Sequence, residues 1–457
     1  MAAHCRDFTR SQLLHSAAAE AGRGLPAIEP GMPTPAGTGL SRRSFLARGA
    51  GLALAVYGAN RIGLGAFEEG VAAAAGGGPG RVLVTIFLPG GCDGMSVLAP
   101  TGDPLYAQSR PTLALDPADC APFSEDSRLR WAPYAAGLAT LHGEGKLSAF
   151  PAIGYDHPDQ SHFTSRHFWE VGALDSGARH GWLGRYLDAT GSEDNPLQGL
   201  SLDGDLSPAL AAARVPVAAV EKPEDFTFWS PGIGDPVKDR WMEAFGQLGR
   251  LGTADPVKAG ARKVAAEVDA VRRQLAPFAT PDGEPSYNSP VPYPDNDLGH
   301  RLAGLAAMLA AGLPLRCVAV NAEGGFDTHS DQASDLPRDM RNTSDAVLAF
   351  QRDLEARGLA DRVMTTVWSE FGRRVRENGS GTDHGAAGAA FVIGTRAKGT
   401  MVGEFPGLAQ LDADDNLRAT SDFRGLYCSL LEQWFDFDAG QIIPNASSFA
   451  RPSLVKP

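Results

Sequence analysis

Three short clusters in the second half of the chain carry the side chains best suited to chemistry. They are Gly324-Gly325-Phe326-Asp327-Thr328-His329, Trp368-Ser369-Glu370-Phe371-Gly372-Arg373 and Thr382-Asp383-His384-Gly385. Each follows or abuts a short strand-like run: Cys317 to Val320, Val363 to Val367, and Ala390 to Ile393 after the last. A fourth acidic turn, Gly90-Gly91-Cys92-Asp93-Gly94, follows the run Arg81 to Leu88. Carboxylates and imidazoles at the ends of successive strands make a candidate metal site, with Asp93, Asp327, His329, Glu370 and His384 as ligands. Oxygen and imidazole donors suit one or two divalent ions, Zn²⁺, Mn²⁺ or Ca²⁺, rather than soft-metal thiolate chemistry. Such an ion polarises an ester oxygen and activates a hydroxyl or water nucleophile.

The candidate nucleophile lies upstream. After the strand-like run Leu147 to Ile153, apolar spacing predicts a helix over Gln160 to Val171 with Asp159 as its N-cap. Ser161 and His162 then fall in the first turn, where unpaired backbone N–H groups and the positive end of the helix dipole favour an anionic ester and a serine alkoxide. His157, His162 or Arg373 could hold the anionic group or protonate the leaving group. Plainer roles compete: Ser161 and His162 as a helix cap, Asp327 with Thr328 as a turn, and Glu370 with Arg373 and Arg374 as a buried salt bridge.

The elements that must position these groups alternate. Arg81 to Leu88 is a continuous apolar run of the kind found in buried, parallel strands, and its Gly-rich end predicts a tight turn. Helices are predicted over Tyr134 to Gly145, Leu183 to Leu187, Asp255 to Leu275, Asp297 to Leu313, Arg341 to Gly358 and Asp422 to Phe435. Short strands are predicted over Leu197 to Leu202, Val215 to Val220, Leu315 to Asn321 and Val363 to Trp368. Alternation of this kind argues for an α/β fold, a three-layer α/β/α arrangement around a largely parallel central sheet. Phe226, Phe228 and Trp229 form an aromatic group suited to a core or pocket wall, and the Pro-rich stretch 277–294 reads as a surface loop or lid.

The 457-residue chain is 43% hydrophobic and 21% charged, an ordinary globular composition. Its net charge of -13, with no basic stripe, argues against nucleic acid as partner. Ser41-Arg42-Arg43-Ser44-Phe45-Leu46 is a twin-arginine pattern, followed by an apolar stretch from Gly49 to Ala59 that is too short to span a membrane. Small residues from Val71 to Ala75 offer a cleavage site, so residues 1–75 read as an export leader and 76–457 as a single domain. The expected location is periplasmic, cell-surface or extracellular, with the twin-arginine export machinery as a partner and no transmembrane span in the mature chain. Of the five cysteines, Cys5 lies in the leader, and Cys92, Cys120, Cys317 and Cys428 are scattered without a C-x-x-C pair. Cys92 and Cys317 read as small buried apolar residues.

The leader, the Asp93 turn, Gln160-Ser161-His162-Phe163 and the three late clusters resemble the bacterial family called domain of unknown function 1501 over nearly the whole mature chain. That resemblance implies an alkaline-phosphatase-like fold and kinship with metal-dependent hydrolases of phosphate and sulfate esters. Carried over, it likens Asp93 to a first-strand metal ligand, Ser161 to the Ser, Thr or formylglycine nucleophile, Asp327 with His329 to a later ligand pair and His384 to the final ligand. The sequence departs from the superfamily pattern in two places. His329 follows Asp327 by two positions where Asp-x-x-x-His is usual, and Glu370-Phe371 stands where Asp-His is usual, which points to fewer metals. No Cys-x-Pro-x-Arg signature surrounds Ser161, which disfavours a formylglycine sulfatase, and no G-x-S-x-G elbow supports a serine esterase. The expected function is an exported, metal-dependent hydrolase of a small-molecule or polymer-borne phosphate or sulfate ester; the alternative is a non-catalytic binding or cell-surface protein with a structural metal.

Overall fold

The computed structural model of the chain describes residues 56–57, 80–192, 195–226 and 235–457. The twin-arginine motif, the cleavage site and Cys5 lie outside the described residues, as do Phe228 and Trp229. Among the described residues the strands are β1 (Val56–Tyr57), β2 (Val82–Phe87), β3 (Leu98–Ala99), β4 (Ala121–Pro122), β5 (Arg130–Trp131), β6 (Leu147–Gly154), β7 (Gly199–Ser201), β8 (Val217–Ala219), β9 (Cys317–Asn321), β10 (Val363–Trp368), β11 (Arg373–Glu377), β12 (Thr382–His384), β13 (Gly388–Ile393) and β14 (Ser421–Asp422). The main sheet runs β1-β8-β7-β9-β2-β10-β13-β6-β14, while β11 and β12 pair with each other beside it.

β2 is buried along its whole length between two parallel neighbours, β9 and β10. Its side chains alternate between two cores: Val82, Val84 and Ile86 join one, Leu83 and Phe87 the other. The first core is closed by the helices Ala136–Gly143, Asp297–Ala310 and Gln332–Ala356. The second is closed by His162–Val171, Trp182–Thr190 and Phe423–Ser429. There Trp169 stacks on Trp368 and Phe423 at centroid distances of 5.1 and 4.6 Å. The expected three-layer α/β/α fold with a largely parallel sheet is therefore present.

Three local expectations change. β13 runs antiparallel between β10 and β6, so its amino end, not its carboxyl end, meets the carboxyl ends of β2, β9, β10 and β6. Helix Gln332–Ala356 starts nine residues earlier than Arg341; Pro337 reads as a breaker, but buried Leu336 and Met340 carry the helical face through it. Helix His162–Val171 is capped by Ser161, not Asp159, because Asp159 Oδ1 instead accepts from Ser161 N–H (2.9 Å) in an Asx turn.

The stretch 277–294 is hydrogen-bonded to the helices beneath it. Ser289 and Tyr293 both donate to Asp353, at 3.1 Å each, and Tyr287 donates to Glu224. At a rise of ~1.5 Å per residue, Asp353 lies about 30 Å along its helix from Gln332. Among the described residues no helix is long and apolar enough to cross a membrane, and Cys92, Cys120, Cys317 and Cys428 are free and buried.

The Gly90-Gly91 turn after β2 is dictated by crowding. Gly90 has φ +115°, and a Cβ there would sit 2.4 Å from the backbone nitrogen of Asp327; at Gly91 (φ +71°) it would meet the Phe371 ring at 2.2 Å. Gly90→Ala is expected to cost at least about 1–3 kcal/mol from backbone strain alone, measured as a lower urea midpoint with an unchanged slope. A midpoint equal to the parent's would contradict this account of the turn.

Candidate metal centre

A loop, a helix start and a hairpin at that shared sheet edge bring three histidines to one carboxylate. His162, the first residue of its helix, is buried, and its Nε2 lies 3.5 Å from Asp327 Oδ2. His329 Nε2 lies 3.3 Å and His384 Nε2 3.2 Å from Asp327 Oδ1. One donor atom each from His162, Asp327 and His384 falls within 4.8 Å of the other two. The His384 ring stands 4.3 Å from that of His162 and 4.7 Å from that of His329, centroid to centroid.

The other nitrogen of each ring is held from outside. His162 Nδ1 meets Glu370 Oε1 at 2.8 Å, His329 Nδ1 meets Asp383 Oδ1 at 2.9 Å, and His384 Nδ1 meets the Gln160 carbonyl at 2.9 Å. Carboxylates and carbonyls only accept, so each Nδ1–H donates and each Nε2 is turned inward. Gln160 itself adopts φ +58°, a conformation rare outside glycine, where its carbonyl receives His384. Outward Nδ1–H donors to carboxylates and carbonyls are the usual arrangement of histidines around a protein-bound divalent ion. His162, Asp327 and His384 are donors of the types that suit Zn²⁺ and other divalent ions, and His329 Nε2 stands beside them on the Asp327 carboxylate.

Asp327 is held rigidly. Its buried neighbour Arg373 donates to Asp327 Oδ1 and also to the carbonyls of Gly90, Gly91, Phe326 and Thr382. Burial alone would raise the Asp327 pKa, but hydrogen bonds from His162 and His384 and the charge of Arg373 hold it well below the carboxylate range. Glu370 behaves alike: burial opposes ionisation, and the bond to His162 with its charge overrides it. Glu370 also accepts from Gly90 N–H (3.0 Å) and from Ser369 Oγ (2.9 Å).

The sequence-predicted residues thus divide. Asp327, His329 and His384 come together with His162, which was expected beside the nucleophile rather than among the ligands. Glu370, expected as a ligand, meets His162 Nδ1 instead of Asp327, and the competing salt bridge with Arg373 is not made; Arg373 pairs with Asp327. Asp93 occupies a separate buried network with Arg110, Ser96 and Gln332. Burial pushes its pKa up, but Arg110, Ser96 and Gln332 more than offset that and keep it lowered. Ser161 is half-buried, its Oγ accepting from Thr164 N–H at 3.5 Å, and His157 is exposed in the same loop. Asp383 lay beside His384 in the sequence motif but its role was not foreseen, and Arg110 and Gln332 carried no sequence signal.

Two outcomes follow for this centre. Asp383→Asn is expected to weaken zinc binding about 10–100-fold by loosening His329, read by competition with a chromophoric chelator; an unchanged affinity would remove Asp383 from the support of the centre. Metal-free protein is expected to lose stability as pH falls below about 4–5, the unfolded-carboxylate range. Asp93, Asp327 and Glu370 all titrate lower when folded, so their contribution is complete above that range and lost as acid protonates them. Urea midpoints that stay flat from pH 6 to pH 3 would contradict this.

Comparison with known proteins gives a family and a set of distant structures. No curated protein matches the sequence. Among solved structures, a sulfatase from a Pseudoalteromonas species is 9% identical, with 84% of this chain and 75% of that chain covered and a TM-score of 0.33. A protein in the alkaline phosphatase superfamily from Vibrio parahaemolyticus is 10% identical, with coverages of 89% and 81% and a TM-score of 0.32. A phosphonate monoester hydrolase from Silicibacter pomeroyi is 15% identical, with coverages of 81% and 75% and a TM-score of 0.33. Scores of this size leave the chemistry to the chain's own residues. The family model for proteins of unknown function (DUF1501) matches residues 152–428, a span that includes His162, Asp327, His329, Glu370 and His384, and the chain belongs to that family.

Proposed function

We propose that the protein is an exported, metal-dependent hydrolase of a phosphate or sulfate ester. The observation that carries this reading is the convergence of three histidine Nε2 atoms on the Asp327 carboxylate, each ring locked by an outer acceptor. His162, Asp327, His329 and His384 would hold the ion, with Glu370, Asp383 and the Gln160 carbonyl orienting the imidazoles. A divalent ion there supplies charge to polarise the ester and to stabilise its attacking and leaving oxygens.

The chain's own groups supply the rest. Ser161 immediately precedes His162 at the start of a ten-residue helix, so its hydroxyl is adjacent in sequence to a ligand and lies in the field of the helix N-terminus. We assign Ser161 as the nucleophile and His157, in the same exposed loop, as proton donor to the leaving group. The Phe371 ring packs 4.9 Å from both His162 and His384 and shields that side of the centre from water. Both the twin-arginine pattern and the negative net charge suit an exported protein that does not bind nucleic acid.

A second reading, a binding or cell-surface protein with a structural metal, draws support from Arg373. Its guanidinium is occupied by four carbonyls and Asp327, so it is not available to grip an anionic substrate. Mature protein loaded with zinc, manganese or calcium should be assayed on aryl phosphate, aryl phosphodiester and aryl sulfate. The expected result is hydrolysis that stops on chelation, returns with the ion and falls by several orders of magnitude in Ser161→Ala. Stoichiometric metal with no turnover of any substrate would favour the binding protein, and hydrolysis that survives exhaustive chelation would favour a serine esterase.

A further inference from the structure

We propose that Gln332 is the positioning residue of the metal centre: one buried side-chain amide that locks the ligand loop and the ligand hairpin in register. The proposal rests on the metal reading above but concerns residues that do not themselves face the ion.

Gln332 is the first residue of the helix Gln332–Ala356 and is 2% exposed. Its Oε1 accepts from Thr328 Oγ1 (3.1 Å) and from Thr382 Oγ1 (2.6 Å). Thr328 separates Asp327 from His329; Thr382 immediately precedes Asp383 and lies two residues before His384. A single oxygen therefore joins the two segments that carry Asp327, His329, Asp383 and His384. Backbone bonds reinforce the seam: Thr382 N–H donates to Thr328 O and Gln332 N–H to Ser380 O, both at 3.0 Å.

The amide cannot flip without loss. Its Nε2 donates to Asp93 Oδ2 (2.6 Å) and Ser96 Oγ (3.2 Å), and an ionised carboxylate accepts only, so nitrogen must face Asp93 and oxygen must face the threonines. Asp93 is fixed in turn by Arg110, whose Nε and Nη2 also donate to the carbonyls of Val375 (3.0 Å) and Arg374 (2.9 Å) on β11. Arg373 and His384 sit directly opposite each other across the β11–β12 ladder. The buried Asp93–Arg110 pair thus anchors one strand of the hairpin and, through Gln332, the other. This gives Asp93 a part in the centre as an anchor, not as a ligand. Partners of this outer kind typically change metal affinity 10–100-fold when removed.

The test compares the parent with Gln332→Ala and with Thr382→Val, which cuts the same link from the other end while nearly preserving shape. Zinc affinity is measured by chelator competition, cobalt(II) substitution is followed by visible absorption, and the Nδ1–H resonances of His329 and His384 are followed by NMR in metal-free protein. Expected are a 10–100-fold loss of zinc affinity in Gln332→Ala, a smaller loss in Thr382→Val, an altered cobalt spectrum, and weakened or exchanging Nδ1–H signals. Should Gln332→Ala not fold, Thr382→Val decides. Zinc affinities within twofold of the parent, with unchanged cobalt spectra, overturn the proposal. A parent that takes up none of zinc, manganese or calcium overturns the hydrolase reading instead, and the metal-free Nδ1–H signals then decide whether Gln332 positions the histidines: signals unchanged in both variants overturn the role.

Discussion

The Asp327 carboxylate is the point on which the site depends. Three imidazoles and one guanidinium address its two oxygens within a largely buried space. Burial there is outweighed by the surrounding positive charge and hydrogen bonds, which favour the ionised carboxylate. Every other constraint follows from holding that group still. Arg373 threads between the β2 turn and the hairpin to reach it, and Gly90 has no side chain because the Asp327 backbone passes where a Cβ would lie.

The sheet edge explains how distant residues meet. β2, β9, β10 and β6 all end at one edge, and antiparallel β13 begins there. His384 therefore reaches the site from a hairpin preceding a strand, whereas Asp327 and Glu370 follow theirs. Insertion of one reversed strand lets the chain return His384 to the edge without another long crossover. The helix beginning at His162, packed over the second core through Trp169, delivers the remaining imidazole.

The arrangement has a division of labour that residue types alone do not reveal. Glu370, Asp383 and Asp93 are all carboxylates near the centre, yet each faces a different partner: His162, His329 and Arg110. Each is engaged by that partner, and the groups that face the Asp327 carboxylate are three imidazoles and the Arg373 guanidinium. Membership of a family of unknown function settles the kinship and leaves the reaction to such geometry.

By itself the sequence determined the class of fold and the neighbourhood of the site. A fully apolar β2, alternating strand and helix patterns, and Asp or His after strand-like runs follow from local chain physics, since burial on two faces and turn chemistry leave marks within a few residues. It also marked Asp327, His329 and His384 through their dense motif. Only the tertiary structure decided which carboxylate faces which nitrogen. Exchanging His162 into the cluster and Glu370 behind it depends on the register of a hairpin, the direction of β13 and an Asx turn that moved the helix start. Those are long-range packing outcomes, in which Gln332 and Arg110 meet Asp93 from positions 239 and 17 residues away. No periodicity in the chain records such meetings.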